Sequence, residues 1–179
     1  MTNDIREVLY TKEELEAIVK ELGKKITEDY KGKNLFLITV LKGAVVFLGD
    51  LMRAIECPCE VEFMVTSSYG AGTVSSGNVK IVKDIDVPLE DKDVLIVEDI
   101  LDSGLTLSFL MELLKNRNPK SIEICTLLDK PSRRVANITA KYTGRQIPDE
   151  FVVGYGLDYD EKYRNLPVIG VLKPEVYTK

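Results

Sequence analysis

Residues Val94 to Thr106 read V-L-I-V-E-D-I-L-D-S-G-L-T. An apolar run of strand length ends in two adjacent acids, Glu98 and Asp99. Asp102, Ser103, Gly104 and Thr106 follow, and Leu107, Leu110, Met111 and Leu114 then recur at helical spacing. A strand, an acidic edge, a small-residue loop and a helix start place an anion site beside a cation site. The helix N-terminus and the loop amides favour a phosphate. The acids favour hydroxyl donors and a hard divalent ion such as Mg2+. A ligand with both needs is a phosphorylated sugar with free hydroxyls. The V-L-I-V run is apolar on both faces, as in a parallel sheet covered on both sides.

The rest of the chain continues that pattern. Thr11 to Tyr30 reads as a helix: Thr11 and Glu14 form a capping box, and Leu15, Ile18, Val19, Leu22 and Ile26 make one apolar face. Leu35 to Leu41 is an apolar strand, and Gly43 to Ile55 the next helix. Strands are expected over Val61 to Ser67, Asn78 to Val82, Ser121 to Leu128, Phe151 to Gly154 and Val168 to Leu172, with a helix over Thr106 to Lys115. Strands alternating with helices imply an α/β fold with a mostly parallel sheet. Ligands in such folds sit outside the carboxyl ends of the strands. Lys42, Glu98, Asp99 and Lys130 all stand at such ends, so they are expected on one rim.

Composition narrows the function. There is no histidine, which removes Ser-His-Asp and Cys-His catalysis and the commonest transition-metal ligand. Acid-base work therefore falls to carboxylates, lysines or tyrosines. The formal net charge of -5 does not favour broad nucleic-acid binding. No apolar run approaches the ~20 residues that span a membrane. The start, M-T-N-D-I-R-E, lacks the basic and apolar regions of a signal peptide, so a cytoplasmic protein is the expectation. Cys57 and Cys59, a C-P-C pair, are too close for an ordinary disulfide, and with Cys125 they are expected to be reduced.

The string E-D-I-L-D-S-G-L-T resembles the phosphoribosyl-pyrophosphate (PRPP) motif of the type I phosphoribosyltransferases. Leu41-Lys42-Gly43, Ser68-Tyr69-Gly70, Leu127-Leu128-Asp129-Lys130 and the run from Phe151 through Leu157-Asp158-Tyr159 to Arg164 match the same family in order. The closest likeness is to the hypoxanthine-guanine branch. The resemblance covers nearly the whole chain. It implies one domain over residues 1–179: a mostly parallel sheet flanked by helices, with a small hood over the base site drawn from the chain ends, notably about 145–179.

The resemblance also implies an activity in purine salvage: Mg2+-dependent transfer of phosphoribosyl from PRPP to hypoxanthine or guanine, giving IMP or GMP and pyrophosphate. Glu98 and Asp99 would hold the ribose hydroxyls and a metal. Asp102, Ser103, Gly104, Leu105 and Thr106 would wrap the 5'-phosphate. Asp102 is the candidate general base, although spacing alone also fits a turn cap. Lys42, Gly43 and Arg164 would meet the pyrophosphate, and the peptide entering Lys42 is often cis in the family. Asp158 would reach a second Mg2+.

Lys130, a donor without acceptor capacity, suits a 6-oxopurine and would reject adenine. Phe151 would stack on the purine and the Val152 backbone read its edge; taken by itself, Phe151 reads better as a core aromatic. Ser68 and Tyr69 open a Gly- and Ser-rich segment, running to Asn78, that would close over the site. Asp129 stands where relatives can carry an uncharged residue, and Arg133 and Arg134 carry no assigned role. A homodimer or homotetramer is implied. Two rivals remain at this stage: a related enzyme preferring another base such as xanthine or uracil, and a regulatory protein of the same fold that binds nucleic acid.

Overall fold

A computed structural model describes residues 2–68 and 79–178, and within them strands and helices alternate almost throughout. In chain order they are β1 (Ile5–Tyr10), α1 (Lys12–Tyr30), β2 (Leu35–Leu41), α2 (Val45–Ala54), β3 (Cys59–Ser68), β4 (Val79–Lys83) and β5 (Asp93–Leu101). Then come α3 (Leu105–Lys115), β6 (Ser121–Asp129), β7 (Tyr142–Gln146), β8 (Val152–Val153), β9 (Ile169–Leu172) and α4 (Pro174–Tyr177). The stretch from Tyr69 to Asn78 lies outside the described residues. Ser68, expected to open that segment, instead pairs with Val79 at the end of β3.

The main sheet has six strands in the order β4-β3-β2-β5-β6-β7. All its pairings are parallel except β3 with β4. The apolar V-L-I-V run lies in β5, at the centre, and Val94 to Val97 are fully buried. One face carries Leu35, Leu37, Leu95 and Val97 against α1 and α2. The other carries Phe36, Ile38, Val94 and Ile96 against Leu107, Leu110 and Leu114 of α3. This two-sided cover is why the central strands are apolar throughout rather than alternating.

The helix starts follow local chemistry. Thr11 Oγ1 accepts from the Glu14 amide at 3.3 Å, and the Glu14 carboxylate accepts from the Thr11 amide at 2.8 Å. All five residues of the expected apolar stripe on α1 are buried. Cys57, Cys59 and Cys125 are free thiols.

A second, three-stranded sheet, β1-β9-β8, joins the two ends of the chain. Its residues Val152, Ile169 and Val171 pack into the core shared with α1 and α2. β1 and β7 escape the sequence pattern. In β1, Arg6, Glu7 and Val8 are consecutively exposed and the pairing with β9 slips twice, so no period of two is visible. In β7, Y-T-G-R-Q is polar and glycine-broken. Gly144 is needed there because a Cβ would lie 2.4 Å from the Leu127 carbonyl oxygen. No helix among the described residues is long and apolar enough to cross a membrane.

The capping box makes a direct prediction. Thr11→Ala should cost about 1 kcal/mol in a urea unfolding titration without altering turnover. An unchanged midpoint would show that the cap adds nothing to this helix.

Candidate active site

β2 and β5 are neighbours, yet the chain leaves them in opposite directions. After β2 it runs to α2 on one face, and after β5 to α3 on the other. The loops that follow therefore part, and a crevice opens at the carboxyl ends of the strands, as such switch points require. It measures about 270 Å³ and is lined by the turn Lys42–Ala44 and by residues from Glu98 to Leu107.

Glu98 and Asp99, expected at the end of their strand, lie inside β5, which runs on to Leu101. Strict alternation would send adjacent side chains to opposite faces. Here the alternation slips: Val97 and Ile100 both pack against the α1/α2 core, and Leu101 against the α3 core. The slip falls on the two acids, and both line the crevice. Asp99 Oδ1 accepts from the Ile100 amide at 2.7 Å. Burial nevertheless pushes the Asp99 carboxyl up to about 6, with the Ile100 amide and the Arg164 guanidinium pulling back and Asp158 adding to the rise. Glu98 is raised as well, by burial and then by Asp99. Gly43 permits this packing, because a Cβ there would stand 2.1 Å from Asp99 Oδ2.

A buried and a half-buried acid, both with raised affinity for a proton, suit a hard cation or a pair of hydroxyl donors. Mg2+ needs only one or two carboxylates, because it keeps water and takes substrate oxygens. Among the described residues, no group of three or more metal-ligating side chains forms a cage. The donor set therefore fits an ion shared with a ligand.

Gly104 caps α3 with a φ of 81° and offers no side-chain cap; the Leu105 amide donates to Ser103 Oγ at 3.4 Å, and the amide after it is left to other partners. A Cβ at this position would also lie 2.6 Å from Ile138 Cγ2. Ser103, Gly104 and Thr106 line the crevice beside Asp102, whereas Leu105 does not. The Leu41–Lys42 peptide is cis. Lys42 is exposed and pairs with Glu161 at 3.1 Å, a contact weak enough to exchange for another anion.

Lys130 follows β6 and is 6% exposed. Its Nζ donates to the Glu150 carbonyl oxygen at 3.0 Å. Burial lowers its pKa, and Asp102 is the strongest opposing influence. Phe151 sits in an aromatic cluster: Tyr177 stacks on it at 4.8 Å and Tyr159 meets it edge-on at 5.6 Å. Tyr177, which no sequence pattern marks, thus covers one face of the ring. Val152 is buried in β8, paired with Val171. Arg164 Nη1 donates to the Gly156 carbonyl at 2.8 Å and meets Asp158 at 2.9 Å.

Among the described residues, two buried side-chain polar atoms have no partner: Asp102 Oδ1, an acceptor, and Arg164 Nε, a donor. Buried polar atoms are normally satisfied, so exceptions point to a ligand. Both belong to residues singled out by the sequence.

The family model for the phosphoribosyl transferase domain matches residues 6–160. The chain belongs to the phosphoribosyltransferase family. It is 56% identical over 178 residues to a hypoxanthine-guanine phosphoribosyltransferase of Staphylococcus aureus, covering 99% of each chain. It superposes on a crystal structure of a hypoxanthine phosphoribosyltransferase from Staphylococcus aureus with a TM-score of 0.97 at 56% identity, covering 100% of this chain and 97% of the other. A hypoxanthine-guanine phosphoribosyltransferase structure from Bacillus anthracis gives 0.90 at 50% identity, over 94% and 99%.

The raised Asp99 carboxyl sets a pH dependence. Its folded pKa, about 6, exceeds the unfolded value near ~3.9, so the folded state binds the extra proton between them. Stability from this group is therefore lost as pH rises from about 4 to 6. Asp99→Asn escapes the loss, so its stability relative to the parent should increase across that window in divalent-free buffer. A difference that stays flat, or shrinks, would contradict the burial argument.

Proposed function

We infer that this phosphoribosyltransferase works in purine salvage, transferring the 5-phosphoribosyl group of PRPP to hypoxanthine or guanine and releasing pyrophosphate. The full-length identity with the Staphylococcus aureus enzyme carries this reading. The products are IMP and GMP.

The proposed residue roles begin at the crevice. The amides of Ser103, Gly104 and Thr106 receive the 5'-phosphate at the start of α3, with the Ser103 and Thr106 hydroxyls beside them. Glu98 and Asp99 accept from the ribose hydroxyls. The same acids, with Asp158 towards the pyrophosphate, would hold Mg2+, which supplies positive charge to the leaving group. Arg164 turns its unpartnered Nε to the pyrophosphate. Lys42 gives up Glu161 for a phosphate oxygen, beside the close-packed Gly43.

Lys130 donates to the 6-oxygen of the base while keeping its bond to Glu150. Phe151 stacks on the purine with the face opposite Tyr177, and the Val152 backbone reads the base edge. Asp102 Oδ1 then takes the N7 proton as N9 attacks C1 of the ribose. General-base help of this kind is worth about 10² to 10⁴ in rate. The larger share comes from stabilising the charge on the sugar and on the leaving pyrophosphate.

The β1-β9-β8 sheet and the segment from about residue 145 form the hood of a single domain over residues 1–179. The enzyme is cytoplasmic and acts as a homodimer or homotetramer.

Pyrophosphate release from PRPP and Mg2+ tests the reaction. Hypoxanthine and guanine should support it, and adenine and uracil should not. Release with adenine, or with none of the bases, would overturn the assignment. Lys130→Ala should lower kcat/KM for hypoxanthine by about 10²-fold, since a charged hydrogen bond to the base is lost. Asp102→Asn should lower kcat by about 10²-fold or more while PRPP binding persists. Parental turnover in either variant would move that role to another residue.

A further inference from the structure

Three successive carbonyl groups of the phosphate loop are tied to one segment. The Leu101 carbonyl accepts from the Lys130 amide at 3.0 Å, and the Ser103 carbonyl from the Val135 and Ala136 amides at 2.9 and 3.0 Å. The Asp102 carbonyl, between them, accepts from Arg134 Nη1 at 2.8 Å. These peptides are trans, so each N–H points opposite to its carbonyl. Tying the carbonyls of 101 to 103 outward turns the amides of Asp102, Ser103 and Gly104 the other way. Those three residues line the crevice.

Arg134 is the one side chain in this clamp. Its other arm, Nη2, donates to Asp129 Oδ1 at the end of β6. Both side chains are largely buried, at 18% and 15% exposure. Its stem also packs at Gly104, where a Cβ would come within 3.3 Å of Arg134 Cδ. A planar guanidinium with two parallel donors can bridge a carboxylate and a carbonyl; a lysine ammonium acts as a point charge and does not fix that geometry. Neighbouring Arg133 is different: it is half exposed, donates to Asp149 at 2.7 Å, and approaches Asp102 Oδ2 only to 3.9 Å.

We propose that Arg134, anchored by Asp129, is a positioning residue that fixes the Asp102 peptide, and so aims both the Asp102 carboxylate and the loop amides at the ligand. The inference rests on the role of Asp102 given above. Arg134 touches no reacting atom; it acts through the backbone of a residue that does. A misplacement of about 1 Å at such a group can cost about 10² in rate.

The test is steady-state kinetics with PRPP and hypoxanthine on Arg134→Ala, Arg134→Lys, Asp129→Asn, Asp102→Asn and the double variant Arg134→Ala/Asp102→Asn. Arg134→Ala should lose at least about 10-fold in kcat with KM for hypoxanthine within about twofold. Arg134→Lys should not restore it, and Asp129→Asn should reproduce it in weaker form. In the double variant the losses should not multiply, because Arg134 acts through Asp102. If Arg134→Ala does not fold, Asp129→Asn and its double with Asp102→Asn carry the same comparison. Parental kcat in Arg134→Ala, or full multiplication of the two losses, would overturn this inference and leave the role of Asp102 intact. Parental kcat in Asp102→Asn would overturn both.

Discussion

Two adjacent carboxylates in the central strand, Asp99 buried and Glu98 half-buried, are the constraint around which the structure is arranged. Burying a carboxylate raises the cost of its charge, and burying two together raises it further. Both Glu98 and Asp99 show the effect as raised proton affinity. An apolar pair would suit the sheet better if stability alone mattered. The strand instead breaks its alternation at these two residues, and Gly43 gives up its side chain to let Asp99 in. In the proposed function the compensation is brought by a ligand: hydroxyl donors, a divalent ion, or both.

The switch point explains why the other groups gather there. The same divergence of chain that opens the crevice places the start of α3 beside the acids, so the proposed anion and cation subsites share one opening. The turn after β2 closes one side. Arg164 and Asp158 come from the far end of the sequence, yet both alter the charge state of Asp99. Asp102 likewise counters the effect of burial on Lys130 across the loop after β6.

Much of this was legible in the sequence because it is local. The V-L-I-V run, the acids and the small-residue loop are contiguous, and the capping box at Thr11 and the stripe on α1 follow simple spacing. The resemblance then supplied Phe151, Asp158 and Arg164, which no periodicity marks. What stayed hidden depends on distant contacts. β1 finds its partner only at the other end of the chain, and β7 hides behind polar residues and a glycine. Tyr177 covers Phe151 from a helix of four residues with no pattern of its own. Arg134 reaches the Asp102 carbonyl across 32 positions, a side-chain-to-backbone bond that no motif encodes.

The central claim is that PRPP seats in the crevice between β2 and β5, across the acid pair and the start of α3. Hydrogen–deuterium exchange of the protein with and without PRPP and Mg2+ tests it most directly. Exchange at the amides of 42–44 and 102–106 should slow together when the ligand is added. Unchanged exchange at both stretches, with slowing only elsewhere in the chain, would contradict the account.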